Sequence, residues 1–356
     1  VIFNKLLSLE LNINISSKNK KDLENIFSGN IHDKNITPFA QAYAGHQFGH
    51  FTNLGDGRAV ILGEHLTSNN KRFDIQFKGS GITPFSRQGD GKAALGPMLR
   101  EYLISEAMHF LNIPTTRSLA VIKTGENVYR EKILPGAILT RVASSHIRVG
   151  TFQYAFAQKN FEIYEKLFNY TIDRHYPAIS DSQNKPIDFL NAFIDKQTDL
   201  VTNWMRVGFV HGVMNTDNMT LSGETIDYGP CAFMDTYDPK TVFSSIDQMG
   251  RYAYENQPII TQWNIARFAE TMLPMISVNA EEAIEIAEDI IKSVPKIYHK
   301  KWLQMMRNKL GILKIDRSDE EIIKSLLNWM YKFKADYTNT FLDIMNNEYD
   351  KNPIYN

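Results

Sequence analysis

The spacing of apolar residues changes near residue 148, and this change limits the folds open to the chain. Before it, apolar residues come in short runs separated by glycines. Phe73, Ile75 and Phe77 alternate with Asp74, Gln76 and Lys78, which predicts a period-two strand with Lys78 on its polar face. Arg58 to Gly63 predicts a strand that follows a G-D-G turn, and 116–123 and 137–143 predict two more. Pro97 to Leu111 reads as a helix among them, with Pro97 in its first turn and Leu99, Tyr102, Leu103, Ala107 and Phe110 on one side. After residue 148 the period is helical. Phe189, Leu190, Phe193, Ile194, Leu200, Val201, Trp204 and Met205 predict one long helix, stopped by Gly208 as its C-cap. A polar loop follows (His211–Asn218), then a hairpin of Met219–Leu221 and Thr225–Asp227 around Ser222-Gly223. Further helices are expected over 259–273, 280–293, 298–310, 318–334 and 338–348. The first 35 residues, rich in Asn and Lys, read as a leader or a loosely specified opening segment. This order predicts an α+β protein of two lobes: a strand-rich N-terminal lobe over 1–145 and a mainly helical C-terminal lobe over 146–356.

Charge narrows the partners. Among 356 residues, 39 Lys and Arg face 40 Asp and Glu, a formal net charge of −1. Such a chain has no overall pull on nucleic acid or on an anionic membrane, so neither is expected as a partner. Any phosphate chemistry must come from a local cluster of cations. The single cysteine, Cys231, permits neither an internal disulfide nor a cysteine-based zinc site, and reads as a small buried apolar residue. No apolar run reaches the roughly 18 residues of a membrane span. The chain begins at Val1 rather than Met, which leaves a targeting segment open.

Five clusters carry candidate chemistry. Gly55-Asp56-Gly57-Arg58 is a glycine turn leading into a strand, where backbone amides can approach an anion beside an arginine. By itself a G-D-G is most often a surface turn. Lys78 at a strand end and Glu101 on the next helix match the lysine–glutamate pair of kinase-like folds, in which the carboxylate fixes a phosphate-binding lysine. Gly89-Asp90-Gly91-Lys92 lies between them and could fold over a nucleotide or simply connect. The most specific cluster is His211-Gly212-Val213-Met214-Asn215-Thr216-Asp217-Asn218, followed by Asp227-Tyr228-Gly229. Kinase-like enzymes place an aspartate near a metal-binding asparagine, then a second metal-binding aspartate in a D-F-G tripeptide. Asn218 and Asp227 would supply oxygen ligands to Mg²⁺, leaving Asp217 to accept a hydroxyl proton. Arg141 and Arg148 are candidate triphosphate clamps with Arg58 and Lys78. One decoy stands apart. His46 and His50 have the i, i+4 spacing of zinc helices, but Gln47 replaces the required glutamate and Gly49 is a poor helix former.

These residues, in this order, resemble the selenoprotein O family, also called YdiU. The matching stretches are Y-A-G-H-Q-F-G-H (43–50), L-G-D-G-R (54–58), F-K-G-S-G-I-T-P-F-S-R-Q-G-D-G (77–91) and R-E-Y-L-I-S-E-A-M (100–108). They continue with I-P-T-T-R (113–117), R-V-A-S-S-H-I-R-V-G (141–150), H-G-V-M-N-T-D-N-M (211–219), I-D-Y-G-P (226–230) and G-R-Y-A-Y-E-N-Q-P (250–258), so that the likeness spans roughly 38–275. The resemblance implies a protein-kinase-like fold that binds ATP in a flipped orientation and transfers AMP to Ser, Thr or Tyr of proteins, with Mg²⁺ or Mn²⁺. It implies nucleotide contacts from Gly55, Gly57, Arg58, Lys78, Asp90, Gly91, Arg141, Arg148 and Asp227. Asn218 and Asp227 would hold the metal, and Asp217 would be the base beside Lys78 and Glu101. A cytoplasmic location follows for a bacterial member and a mitochondrial one for a eukaryotic member. Many family members carry a cysteine or selenocysteine near the C-terminus. This sequence has only Cys231, elsewhere, which leaves redox control through such a residue open. The residues alone leave open a kinase transferring the γ-phosphoryl group and a non-catalytic nucleotide-binding scaffold.

Overall fold

The computed structural model describes residues 2–15, 18–31 and 35–346. The chain forms two compact units, Val1–Pro177 with Asn215–Tyr228, and Ala178–Met214 with Gly229–Asn356.

The first unit opens with β1 (Ile2–Phe3), α1 (Lys5–Glu10) and α2 (Lys20–Phe27). The expected leader is thus ordered structure. Its asparagines are caps: Asn4 accepts from the Leu7 amide at 3.0 Å and Asn19 from the Asp22 amide at 2.9 Å. Leu7, Leu11, Leu23 and Phe27, spaced by one helical turn, are buried against Phe77, Leu119, Ile122 and Ile138. Polar neighbours had masked that spacing. Next come β2 (Ala44–Gln47) and β3 (His50–Asn53), an antiparallel pair joined at Phe48-Gly49. Both turn residues have left-handed backbones, φ 50° and 90°, as a tight two-residue hairpin requires. His46 lies opposite Phe51 and His50 opposite Gln47, so the zinc-helix geometry does not arise.

The main sheet is built from β4 (Ala59–Leu66), β5 (Arg72–Lys78), β6 (Ala93–Ala94), β7 (Arg117–Tyr129) and β8 (Ile133–Ala143) together with β1. Its order is β1-β7-β8-β5-β4, with β6 also on β8, and every pairing is antiparallel. Helix α3 (Leu95–Phe110) packs on β7 and β8. Two expectations are corrected here. Pro97 lies in the first turn of α3, as expected, but the helix turns Met98, Glu101, Ser105 and Met108 inward while Leu103 and Phe110 stay exposed. On β5, the polar residues Asp74, Gln76 and Lys78 are buried, as is apolar Phe77. The cause is the same in both elements: charged groups that satisfy one another occupy the interior between sheet and helix.

Helices α4 (Val149–Ala157) and α5 (Phe161–His175) complete the unit, with a single 3₁₀ turn at Thr216–Asn218. The expected hairpin at 219–227 does not form. Thr220 bridges to Arg148, and Thr225 to Thr115. The Thr220 hydroxyl donates to the Glu224 carbonyl at 2.6 Å and accepts from its amide at 2.9 Å, which closes a local turn.

The second unit contains α6 (Lys185–Arg206), the short strands β9 (Phe209–Val210) and β10 (Ala232–Phe233), α7 (Gln257–Ile276), α8 (Ala280–Leu310), α9 (Asp319–Phe333) and α10 (Tyr337–Asn346). As expected, α6 buries Phe189, Leu190, Phe193 and Ile194, and Gly208 follows it at φ 68°. The helices expected over 280–293 and 298–310 are one. Pro295 cannot donate to the Ile291 carbonyl, but the Gln262 amide does so instead, at 3.2 Å. Of the helix expected over 338–348, residues 347 and 348 lie outside the described residues. Among the described residues no helix is long and apolar enough to cross a membrane.

Candidate active site

Strand register places the first components. On β5 and β8, Gln76 faces Arg141 and Lys78 faces Leu139, so the Lys78 and Arg141 side chains share one face of the sheet. Helix α3 lies over that face and delivers Glu101 to both. Lys78 Nζ donates to Glu101 Oε2 at 2.7 Å and to Asp227 Oδ1 at 2.5 Å. Arg141 Nε donates to Glu101 Oε1 at 2.9 Å, its Nη2 donates to the same oxygen, and Nη1 donates to Gln76 Oε1 at 3.2 Å. Arg141 Nη2 also reaches Asp227 Oδ1 at 3.4 Å. Two cations thus balance two carboxylates. Burial alone would raise the Glu101 carboxyl, but Arg141 and Lys78 outweigh it and hold Glu101 below its usual range. Asp227 is held well below its usual range chiefly by Lys78, with Arg141 and Arg58 adding to the effect against burial. A strand lysine fixed by a helix glutamate is the arrangement protein kinases use to hold phosphate oxygens.

This network borders a cavity of about 380 Å³ within the first unit. Gly55, Gly57, Arg58, Lys78, Asp90, Gly91, Arg141, Arg148, Asp217, Asn218 and Asp227 all line it. Glu101 does not; it stands behind Lys78. The 55–58 turn is tightly seated. Gly55 has φ 121°, and a side chain there would run into the Phe85 ring. Thr83 and Ser86 hydroxyls donate to the Asp56 and Gly57 carbonyls at 2.6 and 2.5 Å. Arg58 is exposed and makes no ion pair among the described residues. In the 89–92 turn, Arg130 grips Asp90 with two nitrogens, each at 2.9 Å, and the Lys92 amide adds a third bond at 3.0 Å. The Arg130 bonds hold the Asp90 carboxyl well below its usual range. Gly91, at φ 65°, lies against the Gly81 carbonyl, where no side chain fits.

Arg148 is more committed than the sequence reading supposed. Its guanidinium stacks on the Tyr43 ring at 4.4 Å, lies 3.6 Å from Asp56 Oδ1, and donates to the carbonyls of His146 at 3.2 Å and Asp217 at 3.4 Å. Asp217 is buried, and its Oδ1 has no hydrogen-bond partner. Burial pushes its carboxyl up to about 6, against the pull of Arg148. Asn218 and Asp227 bring an amide oxygen and a carboxylate to the same cavity, a donor set suited to a hard cation. Among the described residues no group of three or more His, Cys, Asp or Glu is gathered for a metal. An ion held by Asn218 and Asp227 would therefore draw further ligands from water and phosphate, as Mg²⁺ does.

Sequence reading missed Tyr43, Gln47, Lys92 and Arg130 as lining residues. Arg130 lies in the turn between β7 and β8, and only the register of that pair brings it to Asp90. Lys92 was seen in its loop, but not as part of the wall. Taken together, the cavity is lined by cations on several sides and by Asp217. It can hold a polyphosphate and accept a proton.

Comparisons with known proteins show the family. The family model described as "Protein adenylyltransferase SelO" matches residues 1–353. "Protein nucleotidyltransferase YdiU" of Pelagibacter ubique (strain HTCC1062) is 64% identical over 355 residues, covering 100% of this chain and 74% of the relative. The protein of the same name from Nitrosococcus oceani is 59% identical over 355 residues, covering 100% and 72%. Among solved structures, ROP2 from Toxoplasma gondii, described as a virulence factor with a protein-kinase fold and no enzymatic activity, matches at a TM-score of 0.37 and 8% identity over 89% of this chain and 92% of that one. That likeness is too distant to carry activity from one chain to the other. The family match spans nearly every residue, and the chain belongs to the SelO family of protein adenylyltransferases: it is a protein nucleotidyltransferase.

Proposed function

We propose that the cavity binds ATP with Mg²⁺ or Mn²⁺ and transfers AMP to a Ser, Thr or Tyr hydroxyl of a protein. The observation that carries this reading is Asp217, a carboxylate on a cavity that Arg58, Lys78, Arg141 and Arg148 also line. In the proposed step the acceptor hydroxyl gives its proton to Asp217 and its oxygen bonds to the α-phosphorus. The bond from that phosphorus to the bridging oxygen breaks, and pyrophosphate leaves. Lys78, steadied by Glu101, and Arg58, Arg141 and Arg148 offset the charge of the phosphates. The glycines at 55, 57 and 91 let backbone approach them, and Asp90 fixes the covering turn through Arg130. A divalent ion held by Asn218 and Asp227 would supply further neutralisation of phosphate charge. Catalysis in this reading is positioning and electrostatic stabilisation. The kinase-like lobe division at 145/146 and a cytoplasmic site of action belong to the same proposal.

Which phosphorus lies in line with Asp217 separates adenylyl from phosphoryl transfer. Incubation with ATP labelled at the α or the γ phosphorus is expected to leave only the α label on protein. Retention of the γ label would overturn the reading in favour of a kinase. Asp217→Ala is expected to keep ATP binding and abolish labelling. Unchanged labelling in that variant would remove Asp217 from the chemistry.

A further inference from the structure

The Y-A-G-H-Q-F-G-H stretch, whose histidines form no zinc helix, has a different use. Three hydrogen bonds tie its hairpin to the loop that carries Asp217. The His46 amide donates to Thr216 Oγ1 at 2.7 Å. Having accepted there, the Thr216 hydroxyl donates to Gln153 Oε1 at 2.7 Å. The other end of the same amide, Gln153 Nε2, then faces His46 Nδ1 at 2.8 Å, which makes that ring nitrogen the acceptor. The three residues come from β2, α4 and the 3₁₀ turn, and the bonds between them close a ring. Thr216 and Gln153 are fully buried. A fourth bond, from the Phe48 amide to Asn215 Oδ1 at 3.2 Å, fastens the hairpin turn to the residue before Thr216.

The hairpin also presses on Asp217 directly. A side chain on Gly45 would collide with the Asp217 carboxylate, and one on Gly150 would collide with the Ala44 carbonyl. Glycine at both positions lets hairpin, α4 and loop close on one another without a gap. The wall so formed leaves Asp217 Oδ1 desolvated and unbonded. With Oδ1 unbonded, the position of the carboxylate is set by the Gln47 side chain that bonds it, by its neighbours' packing and by the backbone that carries it.

We propose that His46, Gln153 and Thr216 are positioning residues for Asp217: their ring fixes the backbone of the loop so that the carboxylate meets the acceptor hydroxyl. This rests on the reading of Asp217 as the base. None of the three lines the cavity, so nucleotide binding should not depend on them.

The test is steady-state labelling by the full chain with Thr216→Val, Thr216→Ser and His46→Ala, alongside thermal melts. Thr216→Val is expected to lower kcat about 10- to 100-fold, the cost of roughly an ångström of misplacement, with KM for ATP nearly unchanged. Thr216→Ser, which keeps the hydroxyl, is expected to recover most of the loss. His46→Ala changes a half-buried residue of the hairpin and serves if Thr216→Val does not fold; its kcat is expected to fall in the same way. The proposal is overturned if Thr216→Val and His46→Ala lower the melting temperature but leave kcat intact, or if they raise KM for ATP at constant kcat. If Asp217→Ala itself labels normally, the failure lies with the assigned base and not with the ring.

Discussion

Glu101 is buried against two largely buried cations, Lys78 and Arg141, which without it would have only the part-exposed Asp227 to balance them. Removing Glu101 leaves one of these charges uncompensated, which costs more than the pairing contributes. Glu101→Ala is therefore expected to destabilise the protein by about 3–5 kcal/mol, read as a lower urea midpoint at unchanged slope. A loss below about 1 kcal/mol would mean the network is hydrated in solution. The chemistry-bearing residues of this site were legible because their types and order are specific: a lysine, a glutamate, two arginines, then the Asp217-Asn218 pair and Asp227. Arg130 and Tyr43 were not, because each reaches the cavity only through strand register or a stacking contact. The commitment of Arg148 to Asp56, Tyr43 and two carbonyls was equally invisible, since nothing local to residue 148 names those partners.

At the scale of elements, α8 shows how a distant side chain overrules a local rule. Pro295 should interrupt the helix, and the sequence reading broke it there. The Gln262 side chain on α7 takes over the Ile291 carbonyl, so 31 residues run on as one helix. Gln262→Leu is expected to cost about 1–3 kcal/mol, because it leaves a carbonyl unsatisfied. In a Pro295→Ala background the same change should cost much less, because the alanine amide can bond Ile291. A double-mutant cycle by chemical denaturation checks the coupling, and additive losses would refute it. The strands β4, β5, β7 and β8 and the helices α6, α7, α9 and α10 were legible from period, including the glycine stop of α6, whereas α1, α2, β2, β3, α4 and α5 were not. The inward face of α3 was not, because it buries Glu101 and Ser105 while Leu103 and Phe110 remain outside. Hydrophobic patterning reads such a helix from the wrong side. The turn at 220–224 failed for a related reason: its flanks pair with other segments, and pairing partners distant in sequence leave no local trace.

For the molecule as a whole, near-zero net charge makes acid sensitivity a matter of particular groups. His146 is fully buried, with Nδ1 against Asp74 at 3.1 Å and Nε2 without a partner. Burial holds its imidazole below its ordinary pKa, and Arg141 and Arg148 add to this against Asp74. The unfolded chain takes up that proton near pH 6.5 and the folded one does not, so stability is complete above about pH 6.5 and falls as pH drops. Asp74 acts in the same sense at lower pH. Burial would raise its carboxyl, but His146 and Arg174 prevail and lower it, so its contribution is lost as pH falls below about 4. The melting temperature is expected to be lower at pH 5 than at pH 7.5, and His146→Asn should narrow that difference. An equal difference in the variant would show that other groups set the acid limit. The opening stretch of the chain has a consequence of its own. Polar enough to pass for a dispensable tail, it places Leu7, Leu11, Leu23 and Phe27 over Phe77, the residue before Lys78. Trimming it away in the laboratory would strip the backing from that strand and silence a reaction that none of the discarded residues touches.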